Sequence, residues 1–240
     1  MFLREVSIKD KTIKNSYVYD IPMIQAFNSL SFNKPVTFLC GENGTGKSTL
    51  LEAIAIAYGF NPEGGSRNLM FSTCDTHSPL ADNLRMVKGF EQAKDGFFLR
   101  AESFYNVATS IDENERERSG LLRSYGGKSL HAQSHGESFF ALMCNRFYGH
   151  GLYILDEPEA ALSPNRQLSM LTLMHDLIKE GSQFIIATHS PILMAYPEAD
   201  IYVCSDEGLT LTAYQDTDNY QVTKSFLQDP KRYLRFLLED

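Results

Sequence analysis

The sequence predicts an α/β fold, a mainly parallel sheet flanked by helices. Three observations carry that expectation. Short apolar runs at residues 36–40, 152–155 and 184–187 each end abruptly at glycine or polar residues. They are nearly continuous rather than alternating, as strands buried on both faces are. Stretches of helical length and pattern stand around them at residues 48–58, 138–148 and 165–180, and such alternation puts a parallel sheet between helical layers. Ligand sites in a sheet of this kind lie beyond the carboxyl ends of the strands, which is where the polar clusters fall.

The chain has 240 residues, 43% hydrophobic and 22% charged, which is the composition of a folded globular chain rather than a disordered or collagen-like one. Neither a repeat nor a Gly/Ser/Pro-rich linker divides it, so residues 1–240 read as one domain. The longest apolar runs, residues 53–58 and 139–144, fall far short of the roughly 20 residues needed to span a bilayer. The first nine residues alternate polar with apolar, without a stretch of signal-peptide length. The expectation is a cytoplasmic chain with no direct membrane insertion. Cys40, Cys74, Cys144 and Cys204 are far apart and form no C-x-x-C pair, so they read as reduced and structural. A net charge of -8 argues against a dedicated nucleic-acid clamp, though not against a local basic patch. Arg116 and Arg118 alternate with Glu113, Glu115 and Glu117 and read as a solvated face. Lys231, Arg232 and Arg235 are better placed for such a patch.

Taken in order, Val36-Thr37-Phe38-Leu39-Cys40 is a buried strand that runs into Gly41-Glu42-Asn43-Gly44-Thr45-Gly46-Lys47-Ser48, followed by Thr49 and a helix. This is G-x-x-x-x-G-K-[ST] in the strand-to-helix context the motif requires. Glycines allow the backbone to fold around phosphate with successive N–H groups pointing inward, and the helix N-terminus adds its positive end. Lys47 would reach the β and γ phosphates and Ser48 would place its hydroxyl on Mg²⁺. Residues 61–68 form a turn cluster, and residues 112–128 are charged and then glycine-bearing, which reads as a loop.

Leu152-Tyr153-Ile154-Leu155 delivers Asp156 and Glu157 at its carboxyl end. Successive residues of an extended strand point to opposite sides, so the two acids are expected to have different tasks. Asp156 is suited to hold Mg²⁺ and Glu157 to orient or deprotonate an attacking water. A further strand, Phe184-Ile185-Ile186-Ala187, ends in Thr188-His189-Ser190-Pro191, and one intervening helix brings His189 to the same edge for a γ-phosphate contact.

With these motifs in this order, the chain resembles the ABC-type ATPases over residues 34–213. Gln133-Ser134-His135-Gly136-Glu137 resembles the family's Leu-Ser-Gly-Gly-Gln signature, keeping the serine and second glycine. The resemblance implies that Ser134, Gly136 and Glu137 grip the γ-phosphate held by a second subunit, so that two chains sandwich two ATP molecules in an ATP-dependent homodimer. It also implies a small helical subdomain at about residues 104–150 and an antiparallel β portion. Asp156-Glu157-Pro158-Glu159-Ala160-Ala161-Leu162-Ser163 resembles the Walker-B acid, catalytic glutamate and D-loop, with Ser163 where aspartate usually stands. Residues 97–103 should lead into the Q-loop, placing Glu102 near the glutamine position, and Tyr17 or Tyr19 is the candidate to stack on adenine. The nearest subgroup is the compact bacterial chains known as predicted or AAA-family ATPases, which Gly64-Gly65-Ser66-Arg67-Asn68 and Tyr125-Gly126-Gly127-Lys128-Ser129-Leu130 resemble.

The cofactors expected are therefore ATP and Mg²⁺, and the activity is ATP hydrolysis. His131 and His135 lack the glutamate of a zinc helix, and Gly136-Glu137-Ser138 is not a hydrolase elbow. Apolar residues between 226 and 238, interrupted by Asp229-Pro230, predict a short C-terminal helix that packs on the core or docks a partner. The degenerate signature and poor Q-loop favour a soluble, non-transport role in nucleic-acid repair, maintenance or defence, with a protein or nucleic-acid partner. The alternative is the ATP-binding subunit of a transporter working with a separate membrane protein.

Overall fold

In chain order the strands are β1 (Leu3–Ile8), β2 (Ser29–Ser31), β3 (Val36–Cys40), β4 (Gly65–Ser66), β5 (Leu84–Lys88), β6 (Asp95–Arg100), β7 (Gly151–Asp156), β8 (Gln183–Ala187), β9 (Ala199–Ser205) and β10 (Gly208–Leu211). The helices are α1 (Pro22–Ala26), α2 (Lys47–Tyr58), α3 (Phe104–Glu117), α4 (His135–Arg146), α5 (Pro164–Lys179), α6 (Pro191–Met194), α7 (Asp218–Gln228) and α8 (Pro230–Leu238). The computed structural model describes residues 1–12, 16–66, 78–117, 120, 122, 125, 127–132 and 134–238. Cys74, Arg67, Asn68, Arg118, Gly126 and Gln133 lie outside the described residues.

The main sheet has the order β10-β9-β3-β8-β7-β6-β4. Strands β9, β3, β8, β7 and β6 run parallel, and the edge strands β10 and β4 are antiparallel to their neighbours. Every residue of β3, β7 and β8 is buried, which is why their sequences show continuous apolar runs. Period-2 alternation then divides the side chains between two cores. Leu152 and Ile154 face one with α2 and the N-terminal sheet, while Tyr153 and Leu155 face the other with α3, α4 and α5. The second sheet, β2-β1-β5, is antiparallel throughout.

Gln183 joins the two sheets. Its Oε1 accepts the N–H groups of Phe2 at 2.8 Å and Leu3 at 3.0 Å, and its Nε2 donates to the Leu3 carbonyl at 2.9 Å. The side chain is 1% exposed, so water cannot replace these bonds. Gln183→Ala would strand buried backbone groups at about 1–3 kcal/mol apiece. We expect a loss of at least about 3 kcal/mol in urea unfolding, with Gln183→Met also strongly damaging because it fills the volume without restoring the bonds.

Three expectations need correction. The helix expected at 138–148 is α4, which begins at His135 and ends at Arg146. Its start is set by a capping box in which Ser134 and Glu137 satisfy each other's backbone N–H groups, an S-x-x-E pattern that itself marks a helix start. The loop expected at 112–128 is helical through Glu117, the last residue of α3. The short C-terminal helix expected from about Pro230 is α8, but it is preceded by α7 and neither contains a buried residue, contrary to the expected packing on the core. Leu227, Phe236, Leu237 and Leu238 face solvent, so they do not pack on the core. No helix among the described residues is long and apolar enough to cross a membrane.

Candidate active site

Parallel pairing aligns the carboxyl ends of β3, β7 and β8, since Leu39 pairs with Ala187 and Asp156 pairs with the same residue from the other side. The loop after β3 turns through Gly41, Gly44 and Gly46, all at positive φ, and Gly46 caps α2. Gly41 is the most constrained of them: a Cβ there would lie 2.3 Å from the Cys204 carbonyl oxygen of β9, at φ +136°. At Gly44 a Cβ would meet nothing within 4 Å. Gly41→Ala is therefore expected to cost more than the left-handed backbone penalty of about 1–2 kcal/mol alone, because it also forces β9 and the loop apart. Gly44→Ala should cost only the left-handed backbone penalty of about 1–2 kcal/mol. Thermal unfolding with nucleotide titration separates the two, since only Gly41→Ala should also misplace the loop.

Lys47 is 4% exposed, and its ammonium donates to the carbonyls of Gly41 at 2.9 Å and Glu42 at 2.6 Å. Burial pushes its pKa below the ordinary lysine value. Thr45 closes the loop by donating its hydroxyl to the Glu42 carbonyl at 2.9 Å. Glu42, Asn43 and Gly44 are exposed at the loop's outer side, and Thr45, Ser48 and Thr49 are half-buried.

Ser48 Oγ donates to Asp156 Oδ1 at 2.9 Å. On the other side Arg100 Nε lies 3.5 Å from Asp156 Oδ2, while its terminal nitrogens pair with Glu52 at 2.7 Å and Glu102 at 3.5 Å. Asp156 is 5% exposed. Burial pushes its carboxyl up to about 6, against the pull of Arg100 and the Ser48 hydroxyl. Ser48, Ala101, Glu102, Asp156, Glu157 and Ala160 enclose a cavity of about 250 Å³. The Ser48 hydroxyl and the Asp156 carboxylate, 2.9 Å apart at this cavity, are hard oxygen donors of the kind Mg²⁺ prefers, so these two residues fit the metal. Loop N–H groups and a buried ammonium likewise fit a nucleotide's phosphates.

Glu157 lies just past β7 with φ 49° and ψ 52°, a left-handed conformation uncommon outside glycine. Asp156 and Glu157 do diverge, but because the chain turns there and not because the strand continues. Asp156 turns to Ser48 and Arg100, whereas Glu157 Oε1 lies 3.6 Å from His189 Nε2. The structure thus brings Lys47, Ser48, Asp156, Glu157 and His189 to one edge.

Ser134, Gly136 and Glu137 lie elsewhere, on the first turn of α4. Ser134 Oγ donates to Glu137 Oε2 at 2.6 Å, which holds the Glu137 carboxyl below its usual pKa. A Cβ on Gly136 would lie 2.7 Å from the Ala161 carbonyl oxygen, so this turn sits directly against the segment after Glu157. Ser163 caps α5, accepting the Arg166 N–H. Tyr19 is buried and Tyr17 is 75% exposed. Cys40 and Cys204 are buried free thiols, whereas Cys144 is a free thiol that faces solvent.

Arg100, Glu159 and Asn219 escaped the sequence reading. Arg100 ends an apolar strand whose register partner is Asp156, a placement only pairing reveals. Glu159 Oε1 accepts the His189 N–H at 2.5 Å, and Asn219 Nδ2 donates to the His189 carbonyl at 3.0 Å.

A family model described as an AAA domain matches residues 12–119. A second AAA-domain model, whose description names an AbiEii toxin and a type IV toxin–antitoxin system, matches residues 139–195. An energy-coupling factor transporter ATP-binding protein of Methanosphaera stadtmanae is 30% identical over 183 residues, which are 70% of this chain and 65% of the relative. An ABC transporter G family member of Medicago truncatula is 23% identical over 72% of this chain and 26% of its own length. A Methanothermobacter thermautotrophicus protein named as an ABC transporter ATP-binding protein is 28% identical over 83% of this chain and 76% of its own length. The chain thus spans less than two thirds of the first two of these relatives. A solved structure described as a metal-chelate type ABC transporter in an inward-facing conformation shares the fold with a TM-score of 0.53, at 17% identity over 93% of this chain and 88% of that one. Two AAA-domain models, relatives named as ABC transporter ATP-binding proteins, the shared fold and the phosphate-loop geometry all point the same way: the chain is similar to the ABC-type P-loop ATPases, whose members hydrolyse ATP.

Proposed function

We propose that this chain binds Mg-ATP, pairs with a second copy around two nucleotides and hydrolyses ATP to drive a conformational cycle. The observation that carries the reading is the meeting of the Lys47 loop, the Ser48–Asp156 pair and the Glu157–His189 pair at one sheet edge. The Lys47 ammonium would leave the Gly41 and Glu42 carbonyls for phosphate oxygens and, with the loop N–H groups, stabilise their charge. Ser48 and Asp156 would hold Mg²⁺, which when bound would supply charge neutralisation for the phosphates. Glu157 would orient the attacking water and take its proton, while His189 would hold the γ-phosphate. In the dimer, Ser134, Gly136 and Glu137 of one copy would face the γ-phosphate of the other, the Ser134 hydroxyl exchanging Glu137 for phosphate. Exposed Tyr17 is the aromatic free to stack on adenine, and residues 104–150 form the helical subdomain that carries the signature turn.

Two readings of the output rest on different observations. The relatives are named as transporter ATP-binding proteins, which favours an ATP-binding subunit coupled to a separate membrane protein. The altered signature, and Glu102 lining the metal cavity where a glutamine is usual, favour a soluble role directed at nucleic acid. ATP hydrolysis at low salt, with and without double-stranded DNA and with Glu157→Gln as the blank, decides between them. Stimulation that vanishes at high salt would support the nucleic-acid role and direct attention to Lys231, Arg232 and Arg235. Hydrolysis indifferent to DNA favours the membrane partner. Equal rates for wild type and the blank would overturn the ATPase reading itself.

A further inference from the structure

We propose that Glu159 and Asn219 are positioning residues that hold His189 from both sides for its contact with the γ-phosphate, an inference that rests on the function proposed above. His189 follows β8 and lies just before α6, so no ladder or helix bond fixes its own backbone. Two side chains do so instead. Glu159, two residues beyond Glu157, accepts the His189 N–H at 2.5 Å, and Asn219, in the first turn of α7, donates to the His189 carbonyl at 3.0 Å. The next residue is pinned as well: Ser190 Oγ donates to Gln167 Oε1 at 2.5 Å, and Gln167 Nε2 donates to the Leu162 carbonyl at 3.0 Å.

The imidazole these bonds place is poised but unused. Its Nε2 is buried without a hydrogen-bond partner among the described residues, and it lies 3.6 Å from Glu157 Oε1. A buried polar atom left unpaired is costly, and a phosphate oxygen would relieve that cost. The clamp is not needed to seat α7. Tyr214 Oη already donates to the Pro191 carbonyl at 2.9 Å, and Thr217 caps the helix by accepting the Tyr220 N–H. Asn219 also lines a cavity of about 500 Å³ with Gly41, Glu42, His189, Val222 and Thr223. The first turn of α7 is therefore part of the wall beside the phosphate loop, although nothing in its own sequence marks it as such.

The test measures equilibrium binding of Mg-ATP and Mg-ADP to Glu157→Gln protein, which removes turnover from the readout. Asn219→Asp keeps the volume and deletes the donor, and Glu159→Ala deletes the acceptor. Each is expected to weaken ATP binding about tenfold, the worth of one well-placed hydrogen bond, and to leave ADP binding as it was. Glu159→Gln should recover most of the loss, because its amide oxygen accepts the same N–H. Thermal unfolding checks that each variant is folded. Equal weakening of ATP and ADP would show a merely structural pin and overturn the proposal, as would no change in either. A parent protein that binds neither nucleotide would instead overturn the ATPase reading, and this inference with it.

Discussion

Glu157→Gln should bind ATP and fail to hydrolyse it, with turnover lowered by about 10²–10⁴, the range for loss of a general base. The side chain is 42% exposed and its only ion-pair partner among the described residues is His189, at 3.6 Å. The substitution therefore unpairs no buried charge, and stability should change by no more than about 0.5 kcal/mol. Glutamine has the same length and can occupy the same place beside His189 Nε2, but it cannot take a proton from water. The left-handed backbone at this residue is held by its N–H bond to the Ala187 carbonyl at 2.9 Å, which the substitution leaves intact. The variant should therefore retain ATP affinity and accumulate as an ATP-bound dimer in size-exclusion chromatography, while ADP leaves it monomeric. A variant that still turns over at a tenth of the wild-type rate would move the base elsewhere, with Glu102 the next carboxylate in the same cavity.

The parts of this site that were legible in the sequence are those where chemistry dictates residue type at fixed local spacing. Gly41, Gly46, Lys47 and Ser48 fall in a single turn, so the loop could be read without any knowledge of pairing. Asp156 and Glu157 were legible as an acidic pair at a strand end, but the cause of their divergence was not. It lies in a positive-φ turn that no residue type announces. The start of α4 is hard to place because Ser134 and Glu137 fit two patterns at once, the phosphate-gripping signature and the S-x-x-E capping box that starts the helix. Arg100 beside Asp156 and Asn219 beside His189 depend on strand register and on the return of α7, which join residues with no shared local pattern. The C-terminal apolar residues show the opposite limit: periodicity shows that Leu227, Phe236 and Leu237 are apolar, but not whether anything covers them.

Asp156→Asn is expected to shift thermal stability in opposite directions with and without ligand. In the free protein the carboxyl is pushed up to about 6, chiefly by burial, above the usual aspartate value of about 3.9. Between roughly pH 4 and 6 the folded state then binds more protons than the unfolded state, so stability falls as pH rises through that window. By neutral pH the ionised group opposes folding by roughly 3 kcal/mol, from about two pKa units at 1.36 kcal/mol each. Asparagine never carries that charge. Arg100 keeps its 2.7 Å partner Glu52, so the substitution does not leave it unpaired. The free variant should therefore melt higher than wild type at pH 7–8, at about 2–4 °C for each kcal/mol recovered, and this advantage should disappear near pH 4, where the wild-type carboxyl is neutral too. Mg-ATP should reverse the ranking. Ligand at about 1,000 times its dissociation constant stabilises wild type by about 4.1 kcal/mol, more than the free variant gains, and most of that stabilisation should be missing without the carboxylate beside Ser48. A free variant less stable than wild type at pH 7 would mean that Asp156 supports the fold through Arg100 and Ser48 more than its burial opposes it. A full Mg-ATP shift in the variant would show that the metal is held by other oxygens of the cavity.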